Sequence, residues 1–193
     1  MTKYILVGGY PKKAKDGGKA FCEELVKGFS DPVRILDCLF ARPRENWDKS
    51  FEEDKEFFSI HSPDRKLEIQ LADPIRFIDQ IRWVNTIYLR GGDNDVLLGL
   101  LSQDKNWIKE LTGKTFAGSS AGANVIAKYY YDFGALKAEE GLGLLPVKVI
   151  VHYRSDSFAP NLDWDKALIE LKNYKEDIPI FTLAEGEFKV INQ

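Results

Sequence analysis

The sequence predicts an α/β fold in which a mainly parallel sheet is covered by helices on both faces. Short apolar runs alternate along the chain with segments of helical periodicity, and the links between them are short. The run at residues 4–9 is apolar throughout, which is typical of strands buried on both faces. The 193 residues contain no internal repeat and no Pro- or Ser-rich linker, so we expect a single domain over residues 1–193.

The predicted elements follow one another in a regular order. Strands are predicted at residues 4–9, 33–39, 67–71, 85–89, 114–117 and 146–153, with a final strand pair at 179–183 and 188–191. Helices are predicted at residues 18–29, 47–58, 74–81, 96–102, 121–131 and 162–174, with a short one at 107–111. The helix at 18–29 places Phe21, Cys22, Leu25 and Phe29 on one face, whereas the acidic helix at 47–58 is expected to be mostly solvated.

The composition argues against several classes of protein. The net charge of −3 and the pI near 5.5 give no basic surface for nucleic acid. No run of 18 apolar residues is present, and the first residues lack the pattern of a signal peptide, so we expect a cytoplasmic protein that does not bind membranes. The two cysteines, Cys22 and Cys38, are expected to be buried and reduced.

The most informative motif is Gly118-Ser-Ser-Ala-Gly122, which lies between a predicted strand and a predicted helix. This Gly-x-Ser-x-Gly pattern in this context is typical of a nucleophile elbow, a strained turn that exposes a serine hydroxyl. Small residues at both ends allow the turn to close and a substrate to approach. The alternative is an ordinary turn with Ser119 or Ser120 as the helix N-cap. We favour Ser120 as a nucleophile.

A nucleophilic serine needs a base and an oxyanion hole, and two other strand ends offer them. His152 closes a predicted strand, whereas His61, the other histidine, lies in a polar loop, so we assign the base to His152. Gly91-Gly92 follows another strand and suits an oxyanion hole, with the N–H of Ala121 as a second donor. The alternative for this segment is a plain turn with a helix cap at Asp93 or Asn94.

The acid that orients the histidine is the least determined member of the predicted triad. Asp132, Glu139 and Glu140 lie between the serine and the histidine, and Asp156 and Glu185 follow the histidine. We favour Asp132 because it comes directly after the predicted helix of the elbow.

Taken together, Gly91-Gly92-Asp93-Asn94, Gly118-Ser-Ser-Ala-Gly122 and Gly143-Leu-Leu-Pro leading to His152-Tyr153 resemble the dipeptidase E and cyanophycinase-like serine peptidases. The resemblance covers roughly residues 4 to 190. It implies a class I glutamine amidotransferase-like fold, a three-layer sandwich. It also implies Ser120 as nucleophile, His152 as base, and Gly92 and Ala121 as oxyanion donors. The family's acid follows the elbow helix in an Asn-Asp pair, where this chain has Tyr131-Asp132.

The resemblance also implies a substrate class, since such enzymes favour an aspartyl residue on the acyl side of the cleaved bond. An acidic side chain needs a cationic partner, ideally a guanidinium group. Arg90 and Arg154 lie beside predicted catalytic elements and are the expected partners, with Asp93 and Asn94 as further substrate-binding candidates. The expected partner is a small peptide, with no cofactor and no metal ion. A homodimer is left open.

Four other classes of function remain as alternatives. A glutamine amidotransferase would need a cysteine at position 120, where this chain has serine. An esterase of the α/β-hydrolase type usually has its histidine much farther along the chain than His152 is from Ser120. A non-peptidase amidase or esterase on the same fold, or a catalytically silent binding domain, would keep the architecture without the peptidase activity.

Overall fold

The computed structural model describes residues 1–193 and contains ten strands and six α-helices. The strands are β1 Lys3–Val7, β2 Val33–Cys38, β3 Leu67–Leu71, β4 Thr86–Leu89, β5 Thr115–Ser119, β6 Ala127–Asp132, β7 Lys137–Glu140, β8 Leu145–Ile150, β9 Ile180–Thr182 and β10 Phe188–Asn192. The helices are α1 Lys19–Val26, α2 Trp47–His61, α3 Phe77–Trp83, α4 Asn94–Ser102, α5 Ala121–Ile126 and α6 Trp164–Asn173. Three 3₁₀ helices occupy Pro11–Lys13, Arg44–Asn46 and Lys105–Leu111.

The strands form two sheets. The first has the order β10-β1-β5-β4-β2-β3, and all its strands are parallel except the edge strand β10. The second has the order β7-β6-β8-β9, in which only β7 is antiparallel to its neighbour. In the first sheet β5 lies between β1 and β4. The carboxyl ends of β1 and β4 therefore lie on either side of Ser120, the residue that follows β5.

Alternate side chains of the first sheet enter two different cores, because successive residues of a strand point to opposite faces. Tyr4 and Leu6 of β1 belong to the larger buried cluster, together with side chains of α3, α4 and α5. Ile5 and Val7 belong to a second cluster with side chains of α1 and α2. Helices therefore cover both faces of a mostly parallel sheet, and the predicted fold class is confirmed.

The second sheet extends the larger core. Tyr130 of β6 and Val149 of β8 are buried in the same cluster as Tyr4 and Leu6. Their neighbours Tyr129 and Ile150 face the opposite way and pack with α6 in a third cluster. One face of this sheet thus joins the first core, and its strand β8 ends two residues before His152.

Two predicted elements were wrong. The helix predicted at 121–131 ends at Ile126, and Ala127 begins strand β6 in an extended conformation. Three consecutive tyrosines follow, and aromatic residues favour a strand whose two faces are both buried. The predicted final strand pair is also wrong, because β9 bonds to β8 in the second sheet and β10 bonds to β1 in the first.

Two predictions about the whole chain can be compared with the structure. Cys22 and Cys38 are both buried and unbonded, as expected. None of the helices combines the length and the apolar content that crossing a membrane would require.

Candidate active site

Ser120 lies on a strained turn between β5 and α5. Its backbone has φ 53° and ψ −115°, a region that residues with side chains rarely occupy. The turn can close only because its flanks are glycines, since a Cβ on Gly118 would lie 2.3 Å from the carbonyl carbon of Gly122. The close strand-to-helix turn predicted from the sequence is therefore present, and it directs the Ser120 hydroxyl away from the sheet.

The side chain of His152 makes a hydrogen bond with Ser120. The Nε2 atom of His152 lies 2.9 Å from the Ser120 Oγ atom. His152 follows β8 by two residues and has φ 49°, so a second strained turn carries it towards the first sheet. Phe158 stacks on the imidazole at 3.9 Å between ring centroids, and the ring is held in one orientation. His61 is instead at the end of α2, where it packs on Phe57.

Glu185 is the carboxylate that contacts His152. Its Oε1 atom lies 3.1 Å from His152 Nδ1 and accepts a hydrogen bond of 2.8 Å from the Ser155 hydroxyl. Its Oε2 atom pairs with the Lys13 ammonium group. Both oxygens of Glu185 are thereby fixed, and Ser120, His152 and Glu185 form a continuous hydrogen-bonded series.

The expectation for Asp132 is corrected by this geometry. Asp132 ends β6, and its carboxylate accepts hydrogen bonds of 2.7 Å from the Asn94 side chain and from the Ala135 N–H. The side chain thus ties β6 to α4 and stabilises the turn into β7. The prediction for Asp132 depends on a helix that continues from the elbow to residue 131, but α5 ends at Ile126.

The ionisation of the site follows from its burial and its charges. Burial lowers the pKa of His152, although the hydrogen bond to Glu185 acts in the opposite direction and Lys13 adds to the lowering. Burial alone would raise the pKa of Glu185, but hydrogen bonds from Lys13, Ser155 and His152 bring this pKa below its usual value. At neutral pH the site therefore holds a neutral imidazole beside an ionised carboxylate, which is the state that a general base needs.

The end of β1 positions all three residues through main-chain hydrogen bonds. The carbonyl of Val7 accepts from the Ser120 N–H at 3.0 Å, and that of Gly8 accepts from the His152 N–H at 2.7 Å. The carbonyl of Gly9 accepts from the N–H of Gly186, next to Glu185, at 2.8 Å. A Cβ on Gly9 would lie 2.2 Å from the imidazole Cε1, so only glycine leaves room for the histidine. Sequence reasoning missed this function, although the Gly-Gly after the first strand was a visible signal.

A cavity of about 490 Å³ opens over Ser120 and His152. Gly91 lies against Ser120, because a Cβ there would be 2.8 Å from the Ser120 Cβ. Neither Gly91 nor Gly92 donates its N–H to another group of the chain. The N–H of Ala121, the first of α5, has no acceptor within its helix. Free donors therefore lie beside the hydroxyl. A larger groove of about 690 Å³ lies between α3 and residues 100–110, away from these residues.

Comparison with known proteins identifies the family. Residues 44–192 match Peptidase family S51. The chain belongs to this family. It is the dipeptidase E family, so the chain is a serine-type peptidase. A comparison with curated proteins gave no match.

Two solved structures resemble this S51 peptidase over nearly its whole length. A peptidase from an acI-B1 Actinobacterium is 24% identical, with a TM-score of 0.72, and the alignment covers 99% of this chain and 83% of the other. A protein of Listeria monocytogenes EGD-e assigned as a peptidase E is 18% identical, with a TM-score of 0.70, over 99% of this chain and 97% of the other. At these identities the likeness supports the fold.

Of the four expected substrate-binding residues of this S51 peptidase, only one lines the cavity over Ser120. Asp93 caps α4 by accepting from the Val96 N–H, and Asn94 joins Asp132 to Asn124. Arg154 is exposed, pairs with Asp165 and does not line the cavity. Arg90 does line the cavity, but its guanidinium is already bonded to the Ser50 carbonyl and to Glu53. None of the four offers a free charged group beside Ser120.

Proposed function

We propose that this S51 peptidase hydrolyses small peptides or isopeptides with an aspartyl residue on the acyl side, through an acyl-enzyme on Ser120. The observation that carries the proposal is the series of hydrogen bonds from the Ser120 hydroxyl through His152 to Glu185. A strained serine, a neutral base and an ionised carboxylate in this order are the parts of a serine triad, here with glutamate as the third member.

In the proposed reaction, His152 Nε2 accepts the proton of Ser120 as the hydroxyl oxygen attacks the carbonyl carbon of the scissile bond. The oxygen of the tetrahedral intermediate accepts hydrogen bonds from the N–H groups of Gly92 and Ala121. The protonated His152 then donates its proton to the leaving amine, which departs and leaves an ester on Ser120. Water, deprotonated by the same imidazole, hydrolyses this ester.

Glu185 keeps the imidazole in the tautomer that the reaction requires. Its carboxylate accepts from Nδ1–H, so Nε2 is left as the acceptor facing Ser120. It also stabilises the imidazolium that forms during the attack. Lys13 and Ser155 hold the carboxylate in this position.

The test is hydrolysis of a dipeptide panel by the purified protein. We expect wild type to cleave Asp-Leu faster than Ala-Leu, and we expect Ser120→Ala and His152→Ala to lose on the order of 10⁴-fold or more in kcat. His61→Ala is the matched control and should retain wild-type rates, because His61 does not line the cavity and makes no contact with Ser120 or His152. Near wild-type turnover by Ser120→Ala would contradict the assignment of the nucleophile.

A fluorophosphonate probe separates the peptidase from the other uses of this fold. The probe should modify Ser120 in wild type, and it should not modify Ser120→Ala. Labelling without cleavage of any dipeptide would identify an esterase or an amidase of other substrates. Absence of both labelling and cleavage would identify a binding domain.

A further inference from the structure

The wall of the cavity over Ser120 carries more positive than negative charge. Three cationic residues line it, Lys12, Arg42 and Arg90, and two carboxylates, Glu53 and Asp54. A third carboxyl group, Asp37, is fully buried and adjoins Asp54. Burial raises the pKa of Asp37 well above its usual value and that of Asp54 to about 6. At neutral pH the wall therefore has one positive charge in excess.

Arg90 forms ion pairs with both carboxylates that line the cavity, Glu53 and Asp54. Its Nη1 atom donates to the Ser50 carbonyl at 2.7 Å and lies 3.0 Å from Asp54 Oδ2. Its Nη2 atom donates to Glu53 at 3.0 Å. Both arms of the guanidinium are occupied, so a substrate would have to break these contacts to bind Arg90.

Arg42 is a cation without a hydrogen-bonded partner, although its charge opposes the rise in the pKa of the nearby Asp37 and Asp54. Its side chain makes no hydrogen bond and no ion pair within the chain, and its Nε atom is buried with no acceptor. A buried donor without an acceptor costs free energy unless water or a ligand supplies one. Lys12 also makes no ion pair and lies more exposed, packed over the Phe57 ring.

The backbone at Arg42 is held beside the nucleophile. The carbonyl of the preceding residue, Ala41, accepts from the Asp93 N–H at 2.8 Å. A Cβ on Gly92 would lie 2.1 Å from that same carbonyl oxygen, so the two segments are in direct contact. Trp47 Nε1 donates to the carbonyl of Arg42 at 2.9 Å. These contacts fix the Arg42 segment against the glycine pair that adjoins Ser120.

We propose that Arg42, assisted by Lys12 at the rim, binds the side-chain carboxylate of the acyl-side residue of the substrate. The inference rests on the proposed function and names the residue that would give it an acidic preference, in place of Arg90 and Arg154. A guanidinium can bond both oxygens of a carboxylate at once, and a single negative charge balances the excess charge of the wall.

The experiment measures binding without turnover, by calorimetry on the Ser120→Ala protein. Asp-Leu is compared with Asn-Leu, its neutral analogue, and with Asp-Leu amide, which lacks the C-terminal carboxylate. Each ligand is titrated into proteins that carry Arg42→Met, Arg42→Lys or Arg44→Met in addition. Arg44 is the matched control, since it lies two residues away, is exposed and does not line the cavity.

We expect Arg42→Met to weaken Asp-Leu and Asp-Leu amide roughly 10- to 100-fold, the range for loss of a hydrogen bond to a charged group, and to leave Asn-Leu nearly unchanged. Arg42→Lys should recover part of the loss, and Arg44→Met should change nothing. Equal effects on Asp-Leu and Asn-Leu, or no effect on either, would overturn the proposal. An effect on Asp-Leu and Asn-Leu that disappears with Asp-Leu amide would assign Arg42 to the C-terminal carboxylate and overturn the acyl-side assignment.

Failure of this proposal is distinguishable from failure of the proposed function. Labelling of Ser120 by a fluorophosphonate needs no carboxylate on the ligand, and binding to Ser120→Ala needs no catalysis. A protein that is labelled but shows no Arg42-dependent discrimination would keep the serine mechanism and lose the Arg42 assignment.

Discussion

Strands β1 and β4 are both followed by a pair of glycines beside Ser120, but the two pairs offer opposite kinds of backbone group. At the end of β1, the carbonyls of Gly8 and Gly9 accept hydrogen bonds from the His152 and Gly186 N–H groups. At the end of β4, Gly91 and Gly92 make no such bonds through their N–H groups and leave these donors free. The first pair positions the side chains of the proposed triad, and the second leaves the space and the donors that the proposed mechanism needs.

The difference arises from what each pair contacts. Gly9 has φ 114° and lies under the imidazole of His152. The imidazole therefore fills the space that a side chain at position 9 would need. Gly91 lies against Ser120 itself and lines the cavity. Identical sequence signatures at neighbouring strand ends therefore serve packing in one case and the proposed chemistry in the other.

Among changes at the two glycine pairs and their segments, the largest effect should follow from filling the space at Gly9. In Gly9→Ala the new methyl group would overlap the His152 ring, which must move away from Ser120. We expect kcat/KM to fall roughly 100-fold or more, because a displacement of about 1 Å at a catalytic group has that consequence. The measurement is steady-state hydrolysis of Asp-Leu, with thermal unfolding to show that the variant is folded.

Gly99→Ala is the matched control for that variant. Gly99 lies within α4 and has no atom near the position of an added Cβ. Alanine there should leave activity unchanged and raise stability by about 0.5–1 kcal/mol, because glycine is unfavourable inside a helix. Equal activity of the two variants would show that the end of β1 does not position His152.

A smaller effect is expected from Lys13, which follows Gly9 in the same segment and pairs with Glu185. The base must be neutral, so kcat/KM should fall as the pH drops through the lowered pKa of His152. Lys13 disfavours the protonated imidazole. Lys13→Met should therefore raise this pKa and move the acid limb of the profile to higher pH.

The comparison variant is Lys15→Met, because Lys15 makes no ion pair and is exposed. The acid limb of its pH profile of kcat/KM should coincide with that of wild type. A Lys13→Met profile that is unmoved, or moved to lower pH, would rule out electrostatic control of His152 from the end of β1.

The sequence predicted that Ser120 and His152 lie together, but it did not predict which carboxylate contacts His152. Gly118 to Gly122 form a local turn, so the neighbours along the chain determine the position of Ser120. The contact between His152 and Glu185 spans 33 residues and depends on where β8 and β9 lie, which no local pattern specifies. Asp132 was favoured because it lies close to the elbow in the sequence, and the early end of α5 removed that proximity.

The charged groups of the cavity were hard to predict for a related reason. Arg90 has the sequence position expected of a substrate partner, but Glu53 and Asp54 of α2 reach it in the folded chain. Arg42 lies in an unremarkable polar segment, and only the fold shows that it lines the cavity without an acceptor. A sequence shows which charges exist, whereas the fold determines which of them are already neutralised.

The most direct test of the triad is the ratio of kcat/KM between Glu185→Gln and Asp132→Asn on Asp-Leu. Both substitutions remove one negative charge and keep the shape of the side chain. We predict that Glu185→Gln loses on the order of 10³-fold or more, since the imidazole loses the carboxylate that holds its tautomer and stabilises its charge. Asp132→Asn should stay within a few-fold of wild type, roughly the effect of a lost structural hydrogen bond. The reverse ranking would contradict the assignment of Glu185.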